Sequence, residues 1–142
     1  MTAASKVTAE EFTRVVPDLV PIVRLFPVEA RRLDAGYAEI AMPYRDDFVR
    51  PGGTVTGPAI MTLADITMYA LVMSMIGRVE LAVTTNLNTA FLRRPEPRTL
   101  VAKGRMLKLG RRLAFGDIPI YSEDDPEPVA HATVTYSIPP RP

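Results

Sequence analysis

The chain has 142 residues, the size of one ordinary domain, and 47% of them are hydrophobic, enough for a real core. Seventeen basic residues face sixteen acidic ones, so no general attraction to nucleic acid or to an anionic membrane is built in. Cysteine is absent and histidine occurs once, which excludes disulfide frameworks, thiolate metal sites and His-rich zinc sites.

The first residues, MTAASKVTAEEFTRVV, do not read as a signal peptide, because the apolar cluster is short and carries acidic residues. A cytosolic protein fits. Thr8 to Glu11 has capping-box form and predicts a short helix that stops before Pro17. PVEARRLDAGYAEIAMP reads as two strands about a turn at Asp34-Ala35-Gly36. Pro43 to Gly57 reads as a loop, with two Pro-or-Gly clusters and mixed charges.

Gly57 to Gly77 is almost wholly apolar, with Asp65 its one charge. Twenty residues are long enough to span a bilayer. A mid-bilayer carboxylate is costly, and no flanking basic cluster or aromatic belt is present. The segment instead predicts a helix without a polar stripe, and a helix apolar on every side is enclosed on every side. In so small a chain, the sheet must curl around it, a second subunit must help, or both.

Beyond Gly77, VELAVTTNLNTAFLRRP alternates, with Val83, Thr85, Leu87 and Phe91 on one face and Thr84, Asn86 and Asn88 on the other. TLVAKGRMLKLG and RLAFGDIPIYS predict a strand pair about Gly110-Arg111, and VAHATVTYSI the last strand. The expected architecture is an α+β domain: one long helix laid on one antiparallel sheet.

Asp65 is the residue that calls for explanation. Its neighbours one helical turn away, Met61, Thr62, Met68 and Tyr69, include no cation. Burying an unpaired carboxylate is expensive. A carboxylate held by backbone or hydroxyl donors, and a desolvated general base, are both open readings. Gly57 and Pro58 start the helix, where free N–H groups and positive partial charge can polarise an oxyanion. Asp65 lies roughly 12 Å further along the axis. Donors and carboxylate that far apart do not share one carbonyl within a chain, whereas a two-fold dimer lets one subunit's donors meet the other's carboxylate.

With GGTVTGPAIMTLAD, AVTTNLNTAFLRRP, LKLGRRLA and PVAHATVTYS in view, the sequence resembles hotdog-fold thioesterases of the PaaI-like (phenylacetate-degradation) group, from about Val28 to Pro139. The resemblance implies a single hotdog domain over residues 1–142 with a short N-terminal helix, a curved antiparallel sheet wrapping one central helix. It implies a homodimer joined sheet edge to edge, and for many members a homotetramer. It implies hydrolysis of an acyl-CoA substrate without metal or cofactor, and no nucleic-acid or membrane partner. Residue by residue, it makes Asp65 the catalytic carboxylate, nucleophile or general base. Gly57 supplies the N–H that polarises the thioester carbonyl, and Thr84 orients the attacking water. Thr56 stands where the family has His, Pro58 replaces a Gly, Arg50 replaces an Asn or Gln that places substrate or water, and Asn86 stands where Asp is common.

Arg111 and Arg112 sit at a strand turn. They are either a solvated hairpin tip or, as in the family, binders of the CoA phosphates; Arg93 and Arg94 are further candidates. His131 alternates with Val129 and Thr133, has no Cys, Asp or second His beside it in sequence, and reads as a partly buried structural histidine. The methionines of the helix read most simply as core, less simply as lining for an acyl chain. The competing functions are a non-catalytic acyl-CoA or acyl-carrier binding protein and a hotdog hydratase.

Overall fold

The computed structural model describes residues 3–140. Helix α1 (Ala9–Leu19) begins as expected, with the Thr8 side chain accepting from the Glu11 N–H at 3.1 Å. It does not stop before Pro17 but runs through it. Pro17 lies in the last turn, so its missing N–H costs one bond. The Val20 N–H still closes on the Val16 carbonyl, and burial of Phe12, Val15 and Val16 holds the turn down.

Strands β1 (Glu29–Asp34) and β2 (Tyr37–Met42) form the first hairpin. The expected loop that follows holds more structure than its composition indicates. It contains a 3₁₀ turn at Asp46–Phe48 and a minimal hairpin, β3 (Val49–Arg50) with β4 (Thr54–Val55). The central helix α2 (Gly57–Ile76) comes next, then β5 (Val83–Phe91), β6 (Leu100–Leu109), β7 (Leu113–Ser122) and β8 (Ala130–Ser137). Six strands form one antiparallel sheet in the order β1-β2-β6-β7-β8-β5, which leaves β1 and β5 at its edges. The sheet packed on the long helix is the α+β hotdog architecture expected above.

Helix α2 is long and apolar enough to cross a membrane, yet thirteen of its twenty residues are buried within the protein. Each large apolar side chain among them, such as Ile60, Leu63, Met68 and Leu71, stabilises the fold by about 1.5–3 kcal/mol. The helix touches every strand of the large sheet, and α1 adds an edge-on contact of Phe12 with Tyr69 at 6.4 Å between ring centroids. One stripe escapes cover: Gly57, Pro58, Met61, Thr62 and Asp65 are half-buried or exposed, and all lie in the first half of the helix.

Two glycines let helix and sheet approach closely. A Cβ on Gly104 of β6 would sit 2.9 Å from Thr67 Cγ2 and 3.1 Å from Leu71 Cδ1. Thr67 cannot turn away, because it is fully buried and its hydroxyl donates to the Leu63 carbonyl at 2.7 Å. On Gly116 of β7 a Cβ would collide with Met68 Sδ, a longer and more pliant neighbour.

The expected alternation in β5 is corrected by a bulge between Thr84 and Asn86. The extra residue turns Thr84 and Leu87 to the same, partly buried side and leaves Thr85 and Asn86 exposed. His131 is half-buried, as expected, and it has an acidic partner that its sequence neighbours do not supply. Its Nε2 contacts Asp117 Oδ1 across the β7–β8 ladder, on the outward face of the sheet, and Arg105 Nη2 lies 3.6 Å from Asp117 Oδ2. This half-buried polar cluster lies on the face of the sheet turned away from the helix.

Gly104→Ala is expected to lower stability by about 1–3 kcal/mol in denaturant unfolding, through overpacking against Thr67 and Leu71. Gly116→Ala is expected to cost less, because Met68 can adopt another rotamer. The reverse ranking would contradict the close approach at Gly104.

Candidate active site

The register of β5 with β8 builds the carboxylate's surroundings. Thr84 and Tyr136 are direct cross-strand partners, and both side chains point at α2. The Thr84 hydroxyl donates to Asp65 Oδ1. The Tyr136 hydroxyl lies 3.1 Å from the same oxygen and 3.0 Å from the Asp65 backbone carbonyl. Among the described residues, Asp65 has no cation within salt-bridge distance and Oδ2 has no hydrogen-bond partner. The carboxylate is therefore oriented by two hydroxyls through one oxygen, and Asp65 lines the pocket beside it. That pocket, of about 280 Å³, is lined by Asp65 and Thr84 with the apolar side chains of Ile22, Met61, Ile66 and Leu87.

Tyr136 was missed in the sequence, where it reads as one more inward residue of an alternating strand. It is 3% exposed, and burial, reinforced by the negative charge of Asp65, pushes its phenol well above the usual tyrosine range. It therefore stays a neutral donor to the carboxylate at any ordinary pH. The Tyr69 ring, one turn beyond Asp65, lies 6.2 Å from that of Tyr136 and packs the pair from the interior.

The start of α2 faces a different, larger cleft of about 670 Å³. Thr56 is the N-cap residue, but its side chain makes no capping bond. The Gly57 N–H has no acceptor among the described residues. Phe91, at the end of β5, lies over Gly57: a Cβ there would meet its Cζ at 3.4 Å. Arg50 and Arg94 line the same cleft, and neither is in an ion pair among the described residues. Arg93 lines it too, but is tied to Asp125 Oδ2 at 2.9 Å and to the Glu127 carbonyl at 2.6 Å.

The structure thus sorts the sequence candidates. It brings Asp65 and Thr84 together in one pocket, and Gly57 and Arg50 in another, with Thr56 beside the second. Asn86 is exposed and lines neither. Arg111 and Arg112 are exposed at the β6–β7 tip, next to the start of β7. That tip lies at the Val83 end of the sheet, because Leu113 and Val83 both pair with Ser137, whereas the Gly57 cleft lies at the Phe91 end. Among the described residues no group of three or more His, Cys, Asp or Glu is arranged to hold a metal ion.

Known proteins resemble this chain in sequence and fold. The sequence profile of the thioesterase superfamily matches residues 52–129, which take in both clefts' helix and β5. A candidate thioesterase from Silicibacter sp. TM1040, solved by crystallography, is 39% identical; the match covers 99% of this chain and 97% of that one, with a TM-score of 0.86. A candidate esterase of Thermoplasma acidophilum is 29% identical over 96 residues, 68% of this chain and 72% of the relative. A point mutant of the phenylacetic acid degradation protein PaaI from Thermus thermophilus is 23% identical, with a TM-score of 0.73 over 84% of this chain and 99% of that one. At that identity the last speaks for the fold alone.

Tyr136→Phe removes one donor from a charged acceptor and is expected to cost about 1.5–3 kcal/mol in denaturant unfolding. In the Asp65→Asn background the same change is expected to cost measurably less. Additive losses in the double variant would contradict a bond between the two residues.

Proposed function

Because the chain belongs to the thioesterase superfamily, a superfamily of enzymes, we propose that it is an acyl-CoA thioesterase acting as one hotdog domain over its whole length. The observation that carries this reading is the geometry of Asp65: a carboxylate with no counter-ion, oriented through one oxygen by Thr84 and Tyr136, beside an apolar pocket. Such a group is placed to take a proton from water.

In the proposed reaction, Asp65 removes a proton as the water oxygen attacks the thioester carbonyl carbon. Negative charge develops on the carbonyl oxygen and is held by the Gly57 N–H at the positive end of α2. The intermediate collapses, the carbon–sulfur bond breaks, and the thiolate takes up the proton held by Asp65, which restores the carboxylate. The products are a carboxylic acid and free CoA thiol. Thr84 and Tyr136 position the carboxylate. Arg50 and Arg94 offer two uncommitted guanidinium groups for the anionic CoA moiety, and Arg111 and Arg112 two more.

Gly57 and Asp65 open onto separate clefts of one chain, so the complete site requires two copies. Strand β5 is an edge of the sheet, with Val83 57% and Phe91 52% exposed. Its Phe91 end lies over Gly57 and its Thr84 end holds Asp65. Antiparallel pairing of β5 with its two-fold copy puts one end beside the other, bringing Gly57 of one subunit to Asp65 of the next. It also carries the Arg111–Arg112 tip of one subunit toward the Arg50–Arg94 cleft of the other. A homodimer, pairing again into a tetramer, in the cytoplasm is the working form we propose.

A free-thiol readout over a panel of acyl-CoA thioesters tests the assignment. Wild type is expected to release CoA, and Asp65→Asn to lose about 10²–10⁴-fold in kcat while remaining folded. Equal rates in the two would overturn it. Acyl-CoA binding by calorimetry without thiol release from wild type would favour the non-catalytic binding protein.

A further inference from the structure

The free edge of the sheet carries a run of apolar side chains into water. Of the large apolar residues that stay exposed, Leu81, Val83, Phe91 and Leu92 lie on β5 or its flanks, and Ile22 and Leu25 on the turn beside it. Apolar surface gathered along one edge marks a docking face. The two ends of this edge are complementary. At the Thr84 end is the pocket walled by Ile22, Met61, Ile66 and Leu87, which lies at the sheet's margin because β5 is the last strand. At the Phe91 end a half-exposed aromatic ring stands on the helix side of the same strand.

Ring and wall are each held in place. Phe91 lies against Gly57, whose missing side chain lets the ring approach: a Cβ there would stand 3.4 Å from Cζ and 3.5 Å from Cε1. Where the ring is fixed, the start of α2 and the Gly57 N–H are fixed with it. Ile22 belongs to the 3₁₀ turn Pro21–Arg24, anchored by Val23, which is 2% exposed. It is followed by Phe26, stacked on Phe48 at 5.3 Å. The thioesterase-superfamily profile matches from residue 52 onward, so this wall lies outside the matched part of the chain.

Building on the two-subunit reading above, we propose that Phe91 of each subunit docks against the wall formed by the partner's Ile22, Met61 and Leu87, and so sets its own Gly57 N–H in register with the partner's Asp65. Antiparallel pairing of β5 with its copy runs the partner strand about 4.8 Å beyond the edge, with cross-strand side chains on one face about 5 Å apart. A ring on the helix side of that strand then faces the pocket beside Thr84, from the side on which the sheet of a single chain ends. Two-fold symmetry makes the contact twice, once at each site. A buried aromatic anchor is the residue type that dominates the energetics of such interfaces. Phe91 is a positioning residue: it acts through Gly57 rather than on the reacting atoms.

The chain has no cysteine, so an introduced pair of thiols reports a single contact. Phe91→Cys and Ile22→Cys are refolded together in equal amounts and treated with a short bismaleimide. A covalent dimer is expected in the mixture and in neither variant alone. Its absence from a mixture that sediments as dimers overturns the docking and leaves the hydrolase reading intact. A wild type that sediments as a monomer overturns the docking and the shared site together. Phe91→Ala is expected to weaken the dimer by at least about 100-fold, because two rings are lost per dimer, and Phe91→Leu by much less. At concentrations that keep Phe91→Ala dimeric, its kcat for thiol release is expected to fall about tenfold or more with KM changed less than about twofold, and Phe91→Leu to recover most of that loss. An unchanged kcat in dimeric Phe91→Ala overturns the positioning role. If the covalent dimer forms but wild type releases no thiol, the docking stands and the hydrolase reading falls.

Discussion

Everything in this molecule depends on enclosing one apolar helix. A strip of sequence that hydropathy alone would send into a bilayer is instead wrapped by a six-stranded sheet. The wrapping is close enough that two sheet positions, Gly104 and Gly116, have no room for a side chain. Where the cover ends, along the first half of the helix, lie Gly57 and Asp65. The chemistry we propose would sit at the edge of the enclosure, because only there can a polar group meet both water and a rigid apolar wall.

The enclosure also sets the character of Asp65. Two hydroxyls from paired strands grip one carboxylate oxygen, so the sheet's register fixes the orientation of a group on the helix. Neutral donors orient it without supplying a counter-charge.

Much of the frame was legible in the sequence. The helix announces itself by length and by the lack of any polar stripe, and Asp65 by being its only charge. The Asp34-Ala35-Gly36 and Gly110-Arg111 turns mark two hairpins. What could not be read depends on contacts between strands. The bulge in β5 has no glycine or proline to signal it, yet one extra residue reverses which side chains face the helix. Tyr136 lies 71 positions from Asp65, and only the β5–β8 register sets it beside Thr84. His131 lacks an acidic neighbour in sequence but finds Asp117 on the adjacent strand. Pro17 signals a stop that tertiary packing of α1 overrides.

The central claim is that each working site is shared by two subunits, with the N–H of Gly57 from one and the carboxylate of Asp65 from the other. Mixed oligomers test it most directly. Gly57→Pro removes the N–H at a first-turn position where proline is tolerated, and Asp65→Asn removes the base; each parent is expected to be inactive. Refolded together in equal amounts, they should recover about a quarter of wild-type thiol release, since half of the dimers pair unlike chains and each of those has one intact site. Activity no greater than the sum of the two parents, in mixtures verified to contain mixed dimers, would contradict the shared site.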